Sequence, residues 1–123
     1  MPEQEEYCLC LRWHRRRFGM EALQTLDGRA LSVIYPGRWC RTPGPDFRDA
    51  VLLLGNQLLH GDVEVHRCAS AWWGHGHHLQ ASYNHVVLQV VMEADALDTA
   101  RTAGGTRVPT LMLRPLEDEG DAE

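Results

Sequence analysis

The sequence predicts an α+β domain: one N-terminal helix followed by a mixed, largely antiparallel sheet. Three observations carry this reading. A helical period runs through the first residues, short β-branched segments separated by turn dipeptides follow it, and few helical patterns come later. At 123 residues the chain fits a single domain with a modest core of its own, assigned to residues 1–115.

The helix is expected over Glu3–Arg17, where Tyr7, Cys10, Leu11, His14 and Phe18 form a mostly apolar stripe. Acids at Glu3, Glu5 and Glu6 and arginines at Arg12, Arg15, Arg16 and Arg17 suit the two ends of its macrodipole. The arginine cluster reads as a solvated helix end rather than a nucleic-acid patch. Ala22–Thr25 and Leu31–Tyr35 then flank Asp27-Gly28, a hairpin-turn signal, and Pro36-Gly37 ends the second strand. Arg38–Phe47, with Pro43, Gly44 and Pro45, reads as loop. A second hairpin is expected from Arg48–Leu54 and Gln57–His66 across Gly55-Asn56. Cys68–Gln80 is polar and aromatic without clean periodicity; Tyr83–Met92 and Arg107–Leu113 supply the last strands.

The net charge of −5 is concentrated at one end. Five of the 17 acids fall in Glu117–Glu123, and without them acids and bases balance at 12 each. Residues 116–123 therefore read as a solvated, disordered tail. The balance gives little support for tight duplex binding. All twelve bases are arginine, which excludes Schiff-base and other lysine-dependent chemistry. The longest apolar runs, Ala50–Leu54 and Val86–Leu88, are far too short to cross a bilayer, and the acidic N-terminus is unlike a signal peptide. Cys8, Cys10, Cys40 and Cys68 form neither a CxxC knuckle nor a disulfide framework, so reduced thiols and a cytoplasmic setting are expected.

Gly61-Asp62-Val63-Glu64-Val65-His66 is the sharpest local signal. On a strand, Asp62, Glu64 and His66 share one face and Val63 and Val65 the other. Ionisable groups on a buried strand need metal, mutual pairing or solvent. A two-residue turn at Gly55-Asn56 puts Asp46 opposite Val65. A bulge at Gly61, invoked to reconcile Leu58 and Val63 as core residues, brings Asp46 opposite His66 and diagonal to Glu64. Asp46 and Glu64 then make an oxygen-rich site suited to Mg²⁺ or Mn²⁺, with His66 handling water. The bland alternative has Asp46 capping its own turn, Glu64 paired with an arginine and His66 bonded to backbone.

The second cluster is Trp72-Trp73-Gly74-His75-Gly76-His77-His78. It reads as a glycine-loosened surface loop whose tryptophans pack over the sheet. The sharper alternatives are a Zn²⁺ site from His66, His75 and His77, and Trp72 stacking on bases, with His75 and His77 contacting substrate.

Pro45-Asp46 followed by Glu64-Val65-His66 resembles the PD-(D/E)xK nuclease pattern, with histidine in the lysine position. That resemblance implies a restriction-endonuclease-like core, nucleic acid as partner and an acid from the first helix, here Glu6, joining Asp46 and Glu64 at the metal. Over a longer span the chain resembles the bacterial domain-of-unknown-function 2851 family. The matching residues are Glu6 and Trp13, Leu23-Gln24-Thr25 with Asp27-Gly28, Val33-Ile34 before Pro36-Gly37, Gly44-Pro45-Asp46-Phe47, Gly61 to His66, Trp72, His75-Gly76-His77, Tyr83 and Val108-Pro109-Thr110-Leu111. The family tends to carry aspartate where Ala71, His78 and Gln80 stand, asparagine at His85 and histidine at Gln89. Its members usually continue for several hundred residues, so this chain resembles a truncated or stand-alone version. The resemblance supplies no activity. Two readings therefore stand: a metal-dependent phosphodiesterase-like domain using Asp46, Glu64 and His66, and a non-catalytic binding or structural module, stabilised by zinc in one form.

Overall fold

The computed structural model describes residues 2–19, 22–96 and 100–114. The expected acidic tail lies outside them. Helix α1 spans Pro2–His14 and packs on one face of a mixed sheet. The strands are β1 (Leu23–Gln24), β2 (Ala30–Tyr35), β3 (Arg38–Trp39), β4 (Phe47–Leu54), β5 (Gln57–Cys68), β6 (Val86–Glu93), β7 (Ala100–Arg101), β8 (Arg107–Val108) and β9 (Thr110–Met112). Their order is β1-β2-β4-β5-β6-β9, with β3 alongside the end of β4; β7 and β8 form a separate ribbon. The class is α+β, as the sequence indicates. Among the described residues no helix is long and apolar enough to cross a membrane.

Strands β2, β4 and β5 are antiparallel neighbours; a tight turn at Gly55-Asn56 joins β4 to β5, and a longer connection containing β3 joins β2 to β4. The chain then crosses over through a short helix α2 (Ala71–Gly74) and two 3-10 turns, and β6 returns parallel to β5. A parallel return needs such a crossover, and this one carries the histidine cluster.

The apolar face of α1 differs from the stripe read in the sequence. Leu9, Cys10 and Trp13 are buried against Leu52, Val63, Val65 and Leu88, whereas Tyr7 and His14 are exposed. The apolar residues of this helix are too few for periodicity to fix its orientation. Trp13 decides it by burying its ring and donating Nε1–H to Pro36 O at 2.9 Å.

The register of the β4–β5 hairpin is also different. Leu54 pairs with Gln57 and Ala50 with Gly61, but Phe47 pairs with Val63, so the extra residue belongs to β4 and not to β5. The bulge sits at Asp49, which adopts φ 62°, a left-handed conformation that aspartate tolerates better than most side chains. It lets Phe47 and Ala50, three residues apart, both face the α1 core. Leu58 is 65% exposed, so it gave no true constraint on register. Gly61 is required for another reason. A Cβ there would lie 2.4 Å from His85 O and 2.6 Å from a Val87 methyl, where the chain enters β6.

The segment Arg38–Phe47, read as loop throughout, contains β3, whose Arg38 and Trp39 pair with Arg48 and Phe47. The final expected strand is two pieces around Pro109: β8 pairs with β7, and β9 extends the main sheet beside β6.

Candidate metal centre

The site forms where β4 and β5 separate. Beyond the Phe47–Val63 pair, β5 runs on without a strand on that side, and its inner N–H groups need other acceptors. Side chains supply them. Asp46 Oδ2 accepts from Val65 N at 2.8 Å, and Glu6 Oε2 accepts from Arg67 N at 3.2 Å. The backbone N–H of Asp46 donates in turn to Glu64 Oε1 at 3.2 Å. The acids expected to share an ion thus gather along one strand edge. Asp46 lies against Glu64, and Glu6 serves the backbone two residues further on.

Glu64, His66 and Gln89 lie on the sheet face opposite α1 and are buried. The crossover folds over this face and brings in His77, also buried. Glu64 Oε2 stands 3.0 Å from His66 Nε2 and 3.0 Å from His77 Nε2, and the two nitrogens are 3.1 Å apart. The three atoms form a nearly equilateral triangle.

The outer nitrogens explain its chemistry. His66 Nδ1 lies 2.9 Å from Gln89 Oε1, and Gln89 Nε2 donates to Thr110 Oγ1 at 3.2 Å. His77 Nδ1 lies 3.0 Å from Gln80 Oε1. An amide oxygen only accepts, so each Nδ1 carries the proton and each Nε2 presents a lone pair inward. Two lone pairs and a carboxylate facing one another are mutually repulsive unless a cation joins them. A proton on one imidazole satisfies part of the triangle; a metal ion satisfies all of it. Donors at right angles around an ion with ~2.1 Å bonds stand ~3.0 Å apart, which these edges match.

His75 completes the group. Its ring is edge-on, 5.2 Å from that of His66 and 5.6 Å from that of His77, and one ligand atom from each of the three histidines lies within 4.8 Å of the others. Unlike its neighbours it is exposed, so it sits on the solvent side of the triangle. His77 is clamped by the Tyr83 ring, stacked at 3.9 Å, and by the edge of Trp72 at 5.4 Å.

Trp72 is fully buried, with its indole N–H given to Arg101 O at 2.9 Å. It is a wall behind His77 and is closed to a substrate base, which corrects the expectation that it stacks on one. Gln80, Gln89 and Tyr83 were not singled out as site residues in the sequence. Gln89 had a signal, a lone amide inside the apolar run Val86–Met92, where a buried amide needs partners. Gln80 had none.

The electrostatics follow from burial. Burial and the neighbouring Glu64 charge push the Asp46 carboxyl up to about 8, against the Val65 N–H that favours its charged form. For Glu64, burial alone would raise the value, but in the metal-free protein the hydrogen bonds it accepts when a proton occupies the facing Nε2 of His66 or His77 outweigh burial and hold the carboxyl at about 2. Asp46 and Glu64 act as one acid pair, with the proton on the Asp46 side. Burial opposes a charge on His66, yet the hydrogen bond and charge of Glu64 raise it above the ordinary imidazole value. Tyr83 is pushed up to about 12 by burial and then by the charges of Glu64 and Asp46.

Comparison with curated proteins and with solved structures finds no match. One family model matches residues 6–120, that of the Protein of unknown function (DUF2851) family. Since the match takes in most of the sequence, including every residue of this centre, the chain belongs to the DUF2851 family.

Proposed function

We propose that this protein is a metal-dependent hydrolase of phosphodiesters whose ion is held by Glu64, His66 and His77, with Asp46 as the adjacent acid. The carrying observation is the triangle of Glu64 Oε2, His66 Nε2 and His77 Nε2 with edges of 3.0–3.1 Å, each imidazole oriented from behind by a glutamine. Two imidazoles and one carboxylate favour Zn²⁺, Mn²⁺ or Fe²⁺ over Mg²⁺, which prefers oxygen alone.

An ion in this position supplies Lewis acidity and a water acidified towards neutrality. The chain does the rest. Gln80 and Gln89 fix which nitrogen of each histidine faces inward. Tyr83 and Trp72 hold the His77 ring in place. Asp46, lying against Glu64, is the acid that would give a proton to a leaving oxygen. The phosphodiester assignment is supported by the order of acids: Pro45-Asp46 ahead of β4 and Glu64-Val65-His66 on β5, as in PD-(D/E)xK nucleases. One observation favours a second reading, an ion that only stabilises the fold. The three ligands are almost wholly buried, Glu64 at 5%, His66 at 1% and His77 at 6% exposure.

The test is elemental analysis of purified protein, with hydrolysis of a chromogenic phosphodiester, plasmid and single-stranded DNA in Zn²⁺, Mn²⁺ and Mg²⁺. One transition-metal ion per chain is expected, lost in His77→Ala, with hydrolysis lowered at least ~100-fold in Glu64→Gln. Metal without hydrolysis in any of these assays leaves the stabilising ion. Absence of bound metal under saturating conditions removes both readings.

A further inference from the structure

The Glu64 carboxylate looks two ways. Its Oε2 meets the histidines, and its Oε1 faces Asp46. Asp46 also borders an open trough of about 280 Å³ beside α1, whose lining includes Glu3, Glu6, Trp39 and Arg41. Trp39 and Arg41 line a second, larger trough of about 610 Å³ as well, together with His14, Arg16, Tyr35 and Arg38. The two open troughs therefore meet across Trp39 and Arg41. Their charges differ: the larger is lined by arginines and aromatics with no carboxylate, and the smaller holds Glu3, Glu6 and Asp46.

Arg41 is the hinge of this arrangement. Its guanidinium carbon lies 4.5 Å from the Trp39 ring centroid and 5.3 Å from that of Tyr7, and it makes no hydrogen bond or ion pair among the described residues. A stacked guanidinium keeps its N–H donors free for a phosphate. The ledge beneath is rigid, because Trp39 packs at 5.5–5.6 Å on Tyr7, on His14 and on the buried Phe47. Arg16 reaches the same trough from the end of α1 while donating to Ile34 O at 2.7 Å, and Arg38 does so while paired with Asp49.

We propose that the larger, arginine-lined trough binds a single-stranded phosphodiester chain, with the smaller trough beyond Trp39 and Arg41 leading to Asp46. Arg16, Arg38 and Arg41 hold its phosphates, the exposed Tyr35 lies under a base, Trp39 backs Arg41, and the strand runs towards Asp46. A cationic groove with interleaved aromatics is the usual platform for single strands. Only the last clause, the direction towards Asp46, rests on the hydrolase reading.

The experiment is fluorescence anisotropy of a short dye-labelled deoxyoligonucleotide with the full chain, across a salt series, with and without EDTA. Three phosphate contacts give a slope of log K against log salt of about −2. Arg41→Ala is expected to weaken binding about tenfold and to reduce the slope by ~0.7. Arg107→Ala, on the β7–β8 ribbon, is expected to change neither. Binding that survives EDTA separates this surface from the metal centre. Loss of hydrolysis with binding intact defeats only the catalytic reading, and loss of binding with a small diester still cleaved defeats only this one. The proposal is overturned if Arg41→Ala binds as the wild type does. It is equally overturned if duplex or an uncharged methylphosphonate strand binds as tightly as the single strand.

Discussion

Gln80 lies outside the proposed ligand set but touches one of its members, His77. Its amide oxygen fixes the proton of His77 on Nδ1, and Gln80 is itself exposed, so replacing it leaves the core untouched. Partners of this kind are worth about 10–100-fold in metal affinity. Gln80→Ala is therefore expected to weaken ion binding by that factor, measured by competition with a chelator dye, while the melting temperature of the metal-free protein stays within a degree or two. An unchanged affinity would mean that the His77 tautomer is set elsewhere. Gln89 plays the equivalent part for His66 but is 1% exposed, so its replacement mixes orientation with packing.

At the scale of elements, the centre depends on β4 and β5 parting at the right residue and on β6 lying close beside β5. The first follows from the Asp49 bulge. The second requires the missing side chain of Gly61, whose added Cβ would meet backbone at 2.4 Å. Backbone cannot rotate away as a side chain does, so Gly61→Ala is expected to destabilise by about 3 kcal/mol in denaturant unfolding. Gly74→Ala, with nothing within 4 Å of the new carbon, should stay within ~0.5 kcal/mol. Equal effects from the two would show that β6 does not press on β5 as described. The sequence marked Gly61 as special and assigned it the wrong task. It put the bulge at Gly61 on β5, whereas the packing of Phe47 and Ala50 on α1 places it on β4.

Across the whole molecule the buried charges link stability to pH. In the metal-free protein the folded Asp46 carboxyl titrates at about 8, far above an unfolded carboxyl near ~3.9, so the folded state holds a proton the unfolded chain has released. Its contribution is complete below the unfolded value and is lost as pH rises towards 8. His66, raised in the fold, works in the same direction. Glu64, held at about 2, works the other way: its contribution is present above the ordinary carboxylate range and lost as pH falls through 2. Thermal melts in EDTA are thus expected to show stability falling from pH 5 to pH 8, and a saturating transition-metal ion to remove most of that fall. A flat profile in EDTA would contradict the shared-proton description of Asp46 and Glu64.

The residues themselves determined the class and much of the inventory. Turn dipeptides, β-branched runs and a single helical period suffice for an α+β fold, because these signals act over a few neighbouring residues. Asp46, Glu64, His66, His75 and His77 were legible as chemistry for the same reason: each is a polar group in a setting that must account for it. Their grouping was legible in part: His66, His75 and His77, read as one candidate set, do lie together, whereas the meeting of Glu64 with His77 was not foreseen. Which nitrogen faces inward depends on Gln80 and Gln89, and whether His77 reaches Glu64 depends on a crossover without periodicity. Tertiary packing settled both, since register, face and tautomer are set by contacts between segments distant in the chain.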